Sequence, residues 1–174
     1  MRLDGPLITE TRANYYPEPF LTQALNQDMA SLRDLGAYDE IEAELLTKEQ
    51  KRAAINAGWA LRWKELELKA RLCAKGYSQN IDDKHETYAS TLLITTLIFS
   101  RLLSIVHGWK TLQRDVSNAF LHAQVDEKDF ILLEAPEAYY PGKQVYWGLR
   151  KLLYGLNTAP KGWQDHFASV VESE

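Results

Sequence analysis

Residues 59–75 read WALRWKELELKARLCAK, and no other stretch limits the fold as tightly. Trp59, Leu61 and Trp63 alternate with Ala60, Arg62 and Lys64. After Glu65 the alternation resumes, with Ala70, Leu72 and Ala74 on one face and Lys69, Arg71, Cys73 and Lys75 on the other. A period of two cannot lay an apolar stripe along a helix, but it divides a strand into a buried and an exposed face. Two such runs joined by a polar break predict a β-hairpin. Its second strand carries three cations in a row, Lys69, Arg71 and Lys75. Basic residues on an edge strand can serve solubility alone; they can also form a cradle for phosphates.

The rest of the chain adds helices. Leu21, Leu25, Met29, Leu32 and Leu35 recur at spacings of three and four, which predicts a helix from about residue 19 that stops at Gly36. Residues 38–46 are acidic and fit neither period. Thr47 and Gln50 match a capping box and predict a short helix through Ile55, with Gly58 breaking the pattern. Leu92–Val106 reads as a buried helix, or a strand and helix, closed by Gly108. Weak alternation predicts a strand over Trp109–Asp115, and helical spacing follows over Val116–Val125. Phe130–Leu133 and Val145–Leu149 read as strands, with a loop carrying two tyrosines between them. Thr158 and Pro160 suit the start of a last helix, whose buried face would be Trp163, Phe167, Val170 and Val171. Residues 1–18 have no periodicity and read as a loose leader. Strands and helices in this order predict the α+β class.

Composition narrows the function classes. The 174 residues have a formal charge of −4, so the molecule as a whole does not attract polyanions. The charge is uneven: residues 1–58 hold 6 Lys and Arg against 10 Asp and Glu, whereas residues 59–79 hold 5 against 2. Any contact with nucleic acid is therefore expected at the hairpin. Cys73 is the only cysteine, and the four histidines show no metal-ligand spacing. Asp82, Asp83, His85 and Glu86 lie in a polar stretch, where a solvated loop is the favoured reading over a metal site. No signal-peptide pattern opens the chain, and Arg101 interrupts the most apolar run. These features predict an intracellular setting, cytoplasmic or nuclear, with no membrane span.

Asp115 stands where the predicted strand hands over to the predicted helix, with Phe120 five residues on. A carboxylate there can cap the helix or point out of the sheet edge toward a substrate.

Taken in order, several segments resemble the reverse transcriptase of copia-type retrotransposons. KARLCAKGYSQ (69–79) is similar to the family's basic fingers strand, and ETYAS (86–90) to its Glu-Thr-aromatic segment. LQRDVSNAFLHAQVDE (112–127) resembles the palm motif that holds the first metal-binding aspartate. FILLEAPEAYY (130–140) resembles the strand and loop after it, and VYWGLRKLLYGLNTAPKGW (145–163) the Leu-Tyr-Gly-Leu…Ala-Pro…Trp segment. The likeness spans about residues 19–174. It implies a fingers hairpin plus a partial palm, an incomplete ferredoxin-like sheet with packed helices, with residues 19–58 as a helical lead-in and 59–174 as fingers and partial palm.

The resemblance also implies chemistry. Such enzymes add deoxynucleotides to a primer on an RNA or DNA template, using two Mg2+ ions about 4 Å apart held by carboxylates. Asp115 corresponds to the first of these, and the Val116 carbonyl to a further oxygen ligand. Lys69, Arg71 and Lys75 are candidates for the triphosphate, and Phe120 for the gate against a ribose 2′-hydroxyl. Tyr154 and Gly155 form the turn that approaches the templating pair, although turn and helix-start chemistry explains Tyr154, Gly155 and Pro160 as well.

Some residues depart from the pattern. The family's aromatic-X-Asp-Asp turn has no counterpart here, because Asp82-Asp83 lies elsewhere. Arg114, Ser90-Thr91 and Asn157 stand where an apolar or neutral residue, Ser-Pro and a basic residue are expected. The expectation is a reverse transcriptase fragment, truncated before the Asp-Asp motif, inactive alone, and prone to self-associate through an open sheet edge. The alternatives are a nucleic-acid-binding remnant without catalysis, and a protein-interaction domain working through the acidic first 58 residues.

Overall fold

The computed structural model describes residues 16–79, 87–126 and 128–173. Two of the regions read from sequence, most of the leader and the Asp82–Glu86 loop, lie outside them.

Helix α1 (Glu18–Asp34) forms where the spacing of three and four places it. Its end is a glycine stop. Gly36 adopts φ 60, its N–H donates to the Arg33 carbonyl at 2.9 Å, and the Ala37 N–H donates to the Leu32 carbonyl at 2.9 Å. Strand β1 (Tyr38–Glu42) follows, so the acidic stretch of unassigned period is partly a strand. Pairing decided this, because β1 lies antiparallel to β5 (Val145–Leu149) along its whole length. Thr47 and Gln50 do make a capping box, at 2.9 and 3.2 Å, at the start of α2 (Lys48–Ala53). That helix ends before Ile55, however. Ile55 opens β2 (Ile55–Lys64) and pairs with Leu133, and Gly58 lies inside the strand rather than breaking it.

The hairpin of β2 and β3 (Glu67–Ala74) is antiparallel, in register from Ala57↔Ala74 to Lys64↔Glu67. Glu65, with φ 56, makes the turn. Leu68, Ala70, Leu72 and Ala74 are buried, as the alternation requires, and Lys69 and Arg71 are exposed. Cys73 is also buried, against the expected outward face. The Tyr154 segment bridges to the backbone at Cys73 and covers it. Strand β4 (Leu132–Glu134) completes a mixed five-stranded sheet in the order β1-β5-β4-β2-β3, with β2 and β4 the parallel pair. The class is therefore α+β. Leu21, Ala24, Met29 and Leu32 of α1 join Leu68, Leu72, Leu133, Trp147 and Leu153 in one core. Burying each large side chain contributes about 1.5–3 kcal/mol.

Edge strand β3 is not left bare. The Leu72 N–H donates to Asp28 Oδ2 of α1 at 2.7 Å, and the Ala74 N–H donates to the Tyr154 carbonyl at 2.8 Å.

Four expectations fail in the second half. Helix α3 (Ile94–Val106) forms, but Ile94, Ile98, Phe99, Leu102 and Ile105 are each more than half exposed, and only Ser104 is buried. Residues 109–116 form no strand, since a strand needs a partner for its backbone groups and none of the described strands pairs with them. In place of a helix over 116–125 there is a 3₁₀ turn, Ala119–His122. It follows Asn118 in the left-handed conformation at φ 53, which an α-helix excludes. Helix α4 (Ala159–Glu172) has Pro160 in its first turn as read, but the Thr158 side chain makes no cap hydrogen bond, and Phe167, Val170 and Val171 are exposed. Ser90 and Gln164 exchange hydrogen bonds of 3.1 and 2.8 Å, which tie the segment before α3 to α4.

Candidate active site

Two of the candidate residues, Arg71 and Phe120, meet at the ring of a third, Tyr154. Tyr154 leaves the core after Leu153 and is half-buried beside the end of β3. The Arg71 guanidinium carbon stands 4.7 Å from the centroid of its ring. Phe120 meets the ring edge-to-face, centroids 4.8 Å apart and planes at 62°. Strand alternation delivers Arg71 to this face, and the 3₁₀ turn delivers Phe120. A guanidinium over an aromatic face gains roughly 0.5–2 kcal/mol and keeps its charge available.

Asp115 is exposed in the irregular segment ahead of that turn, and its charge reaches Tyr154. Burial pushes the Tyr154 hydroxyl above its ordinary range. Arg71 opposes that rise, and Asp28, Cys73 and Asp115 add to it. Val116 is 41% exposed. Arg71, Phe120, Tyr154 and Asp115 thus share one neighbourhood.

Two of the three cations stand apart. Lys69 pairs with Glu67 at 2.5 Å near the hairpin tip, an exposed pair of small worth. Lys75 follows the last residue of β3, where the alternation ends. It lines a cleft of about 260 Å3 with Asn56, Trp59, Glu134 and Glu137. The row of three cations expected from sequence is thus one cation, Arg71, at the aromatic cluster.

Gly155, with φ 86, turns the chain directly against β3. A Cβ there would lie 2.1 Å from the Ala74 carbonyl oxygen, and one at Gly76 would lie 2.1 Å from the Gly155 carbonyl oxygen. Only glycine permits backbones this close. Asn157, a departure from the family pattern, donates from Nδ2 to the Gly76 carbonyl at 2.8 Å.

Sequence reading missed Asp28. It lies on the same stripe as Leu21, Ala24 and Leu32, where a carboxylate is out of place, and that mismatch was available to see. Burial raises its pKa to about 6, against the hydrogen bond from Leu72 and the charge of Arg71, which lower it. Burial also pushes the Cys73 thiol up to about 11, and the Asp28 charge adds to that.

Among the described residues no group of three His, Cys, Asp or Glu side chains could hold a metal ion. Asp115 is a single carboxylate on an exposed segment, and one carboxylate cannot set two divalent ions in register. The described residues do not fit a two-metal centre.

The site sets Arg71 of β3 against the aromatic pair Tyr154 and Phe120 on an α+β body. Residues 43–174 match the family model for reverse transcriptase (RNA-dependent DNA polymerase), and the chain belongs to that family, in its copia-type branch. It is 29% identical over 163 residues to the retrovirus-related Pol polyprotein from transposon TNT 1-94 of Nicotiana tabacum, a match that covers 88% of this chain and 12% of that polyprotein. It is 34% identical over 98 residues to the Pol polyprotein from transposon RE1 of Arabidopsis thaliana, covering 55% of this chain and 6% of the relative. The chain therefore corresponds to a small part of the length of these polyproteins. Reverse transcriptases as a family work with divalent metals, nucleic-acid templates and nucleotides. No described helix is long and apolar enough to cross a membrane.

Proposed function

We propose that this chain carries the nucleotide-facing side of a retrotransposon reverse transcriptase and binds without catalysing when alone. In this reading the β2–β3 hairpin is the fingers, and β4, β5 and the Asp115 segment belong to a partial palm. The observation that carries it is the cluster itself, with Arg71 over Tyr154, Phe120 against the ring edge and Asp115 within electrostatic reach.

Each residue then has a task. Arg71 offers a fork of donors to phosphate oxygens. Phe120 supplies bulk against a ribose 2′-hydroxyl. Gly155 lets the Tyr154 turn close on the Ala74 backbone, which seats the ring beside β3. Asp115, with the Val116 carbonyl, supplies one side of a cation site, and the described residues supply no second carboxylate cluster. Phosphoryl transfer depends on positioning and charge neutralisation, so the 174-residue polypeptide is expected to bind a primer-template and leave the primer unextended.

Salt-titrated binding of a labelled primer-template tests this. Affinity is expected to fall steeply with salt, and Arg71→Ala is expected to weaken binding about tenfold and lower the salt slope by about one. Binding that ignores both salt and Arg71 would refute the reading. Primer extension by the purified chain would refute its inactivity.

A further inference from the structure

The contact between β3 and the Tyr154–Gly155 turn is closed by three elements at once. On one side the Ala74 N–H donates to the Tyr154 carbonyl at 2.8 Å. In the middle, Gly76 and Gly155 place their backbones against each other at a separation no Cβ allows. On the other side Asn157 and Gln79 share the Gly76 carbonyl oxygen. Asn157 Nδ2 donates to it at 2.8 Å, the Gln79 N–H donates to it at 2.9 Å, and the Asn157 N–H donates to Gln79 Oε1 at a longer 3.4 Å.

We infer that Asn157 is the latch of this clasp, and that it acts as a positioning residue by fixing the Tyr154 ring beneath Arg71. The ring's place depends on two backbone anchors, one at its own carbonyl and one three residues later. Arg71 sits on β3 three residues before Ala74, so the strand end and the turn must keep their spacing for the guanidinium to stay 4.7 Å from the ring. Hydrophobic packing of Leu153 and Leu156 holds the turn near the core, but apolar contacts are not directional. The hydrogen bonds around Gly76 supply the direction. Asn157 is half-buried, and these bonds gain strength from partial exclusion of water and from forming one network. An amide is suited to the place, since its Nδ2 donates to the Gly76 carbonyl.

The part of this inference that concerns nucleotide rests on the function proposed above, so the test separates the two. Amide hydrogen exchange reads the clasp at Ala74, whose N–H spans the contact, with Leu149, bonded to the Ile131 carbonyl at 2.9 Å, as a distant control. Affinity for dTTP with magnesium reads its consequence.

In Asn157→Asp a carboxylate oxygen replaces the donor and faces the Gly76 carbonyl. Exchange at Ala74 is expected to quicken about tenfold with Leu149 unchanged, and dTTP affinity to fall about tenfold. Asn157→Lys restores a donor and is expected to protect Ala74 as the native chain does. Asn157→Ala, which brings no charge, is expected to quicken Ala74 several-fold. Unchanged exchange at Ala74 in Asn157→Ala overturns the latch, whatever the Asp variant does. Equal quickening at Ala74 and Leu149 also overturns it, because the effect would then be global unfolding. If the native chain fails to bind dTTP, the proposed function falls, while the Ala74 comparison still decides the latch.

Discussion

Two segments rich in apolar residues meet opposite fates in this molecule. The stretch from β2 through β3 places Trp59, Leu61, Leu68 and Leu72 in a core shared with α1 and β5. Helix α3 is at least as apolar, yet Ile94, Ile98, Leu102 and Ile105 stay more than half exposed. The difference is the presence of a partner. The hairpin pairs with β4 on one edge and takes Asp28 and Tyr154 as partners on the other, where α1 closes it. Helix α3 satisfies its backbone internally, but among the described residues no sheet face comes to cover its side chains. Apolar character makes burial favourable; a complementary surface decides whether burial happens.

The largest test of this contrast is truncation of side chains. Leu153, 1% exposed, lies in the shared core. Leu153→Ala is expected to cost about 2–5 kcal/mol in chemical denaturation. Leu102→Ala on α3 is expected to cost less than about 1 kcal/mol. Equal losses would show that α3 is packed in solution.

The next test is the pH dependence set by Asp28. Its folded pKa, about 6, lies above the ordinary 3.8. A raised carboxylate pKa means that the native state holds the proton more tightly than the unfolded chain. The stability it contributes is therefore fully present below pH 3.8 and is lost as pH rises through about 6. This group alone should make the fold weaker at pH 7 than at pH 4 by up to about 3 kcal/mol. An amide at this position would keep an acceptor for the Leu72 N–H without the buried charge, so Asp28→Asn is expected to raise Tm at pH 7.5 and to change it little at pH 4. A variant less stable at pH 7.5 would show that the charge itself holds α1 on β3.

The smallest effect separates neighbours on one strand. Lys69→Ala removes an exposed ion pair with Glu67 and is expected to shift stability by less than about 0.5 kcal/mol. Primer-template affinity should drop far less than in Arg71→Ala, because only Arg71 reaches the Tyr154 ring. Equal losses of affinity would restore the picture of a continuous cationic row.

Much of this was legible in the residues. The hairpin, α1 with its glycine stop, the capping box of α2, strand β5 and the proline start of α4 all follow from local periodicity and capping. The family was legible from five ordered segments, and the match over residues 43–174 agrees. Strand 109–115 was not, because alternation describes a side-chain pattern and the strand itself needs a neighbour for its N–H and C=O groups. Lys75 was misplaced for a related reason, since the pattern was carried one residue past the end of β3. Asp28, Gly76 and Asn157 gain their meaning only from contacts across 44 to 81 residues of sequence.

By itself the sequence determined where the backbone turns, which faces are apolar and which family the chain belongs to. Those properties depend on residues a few positions apart. Only the tertiary structure decided that Arg71 rather than Lys69 meets Tyr154, that a carboxylate of α1 closes the edge of β3, and that α3 keeps its apolar face in water. Each of these depends on which distant surface is close enough to exclude solvent, and local sequence does not specify that distance.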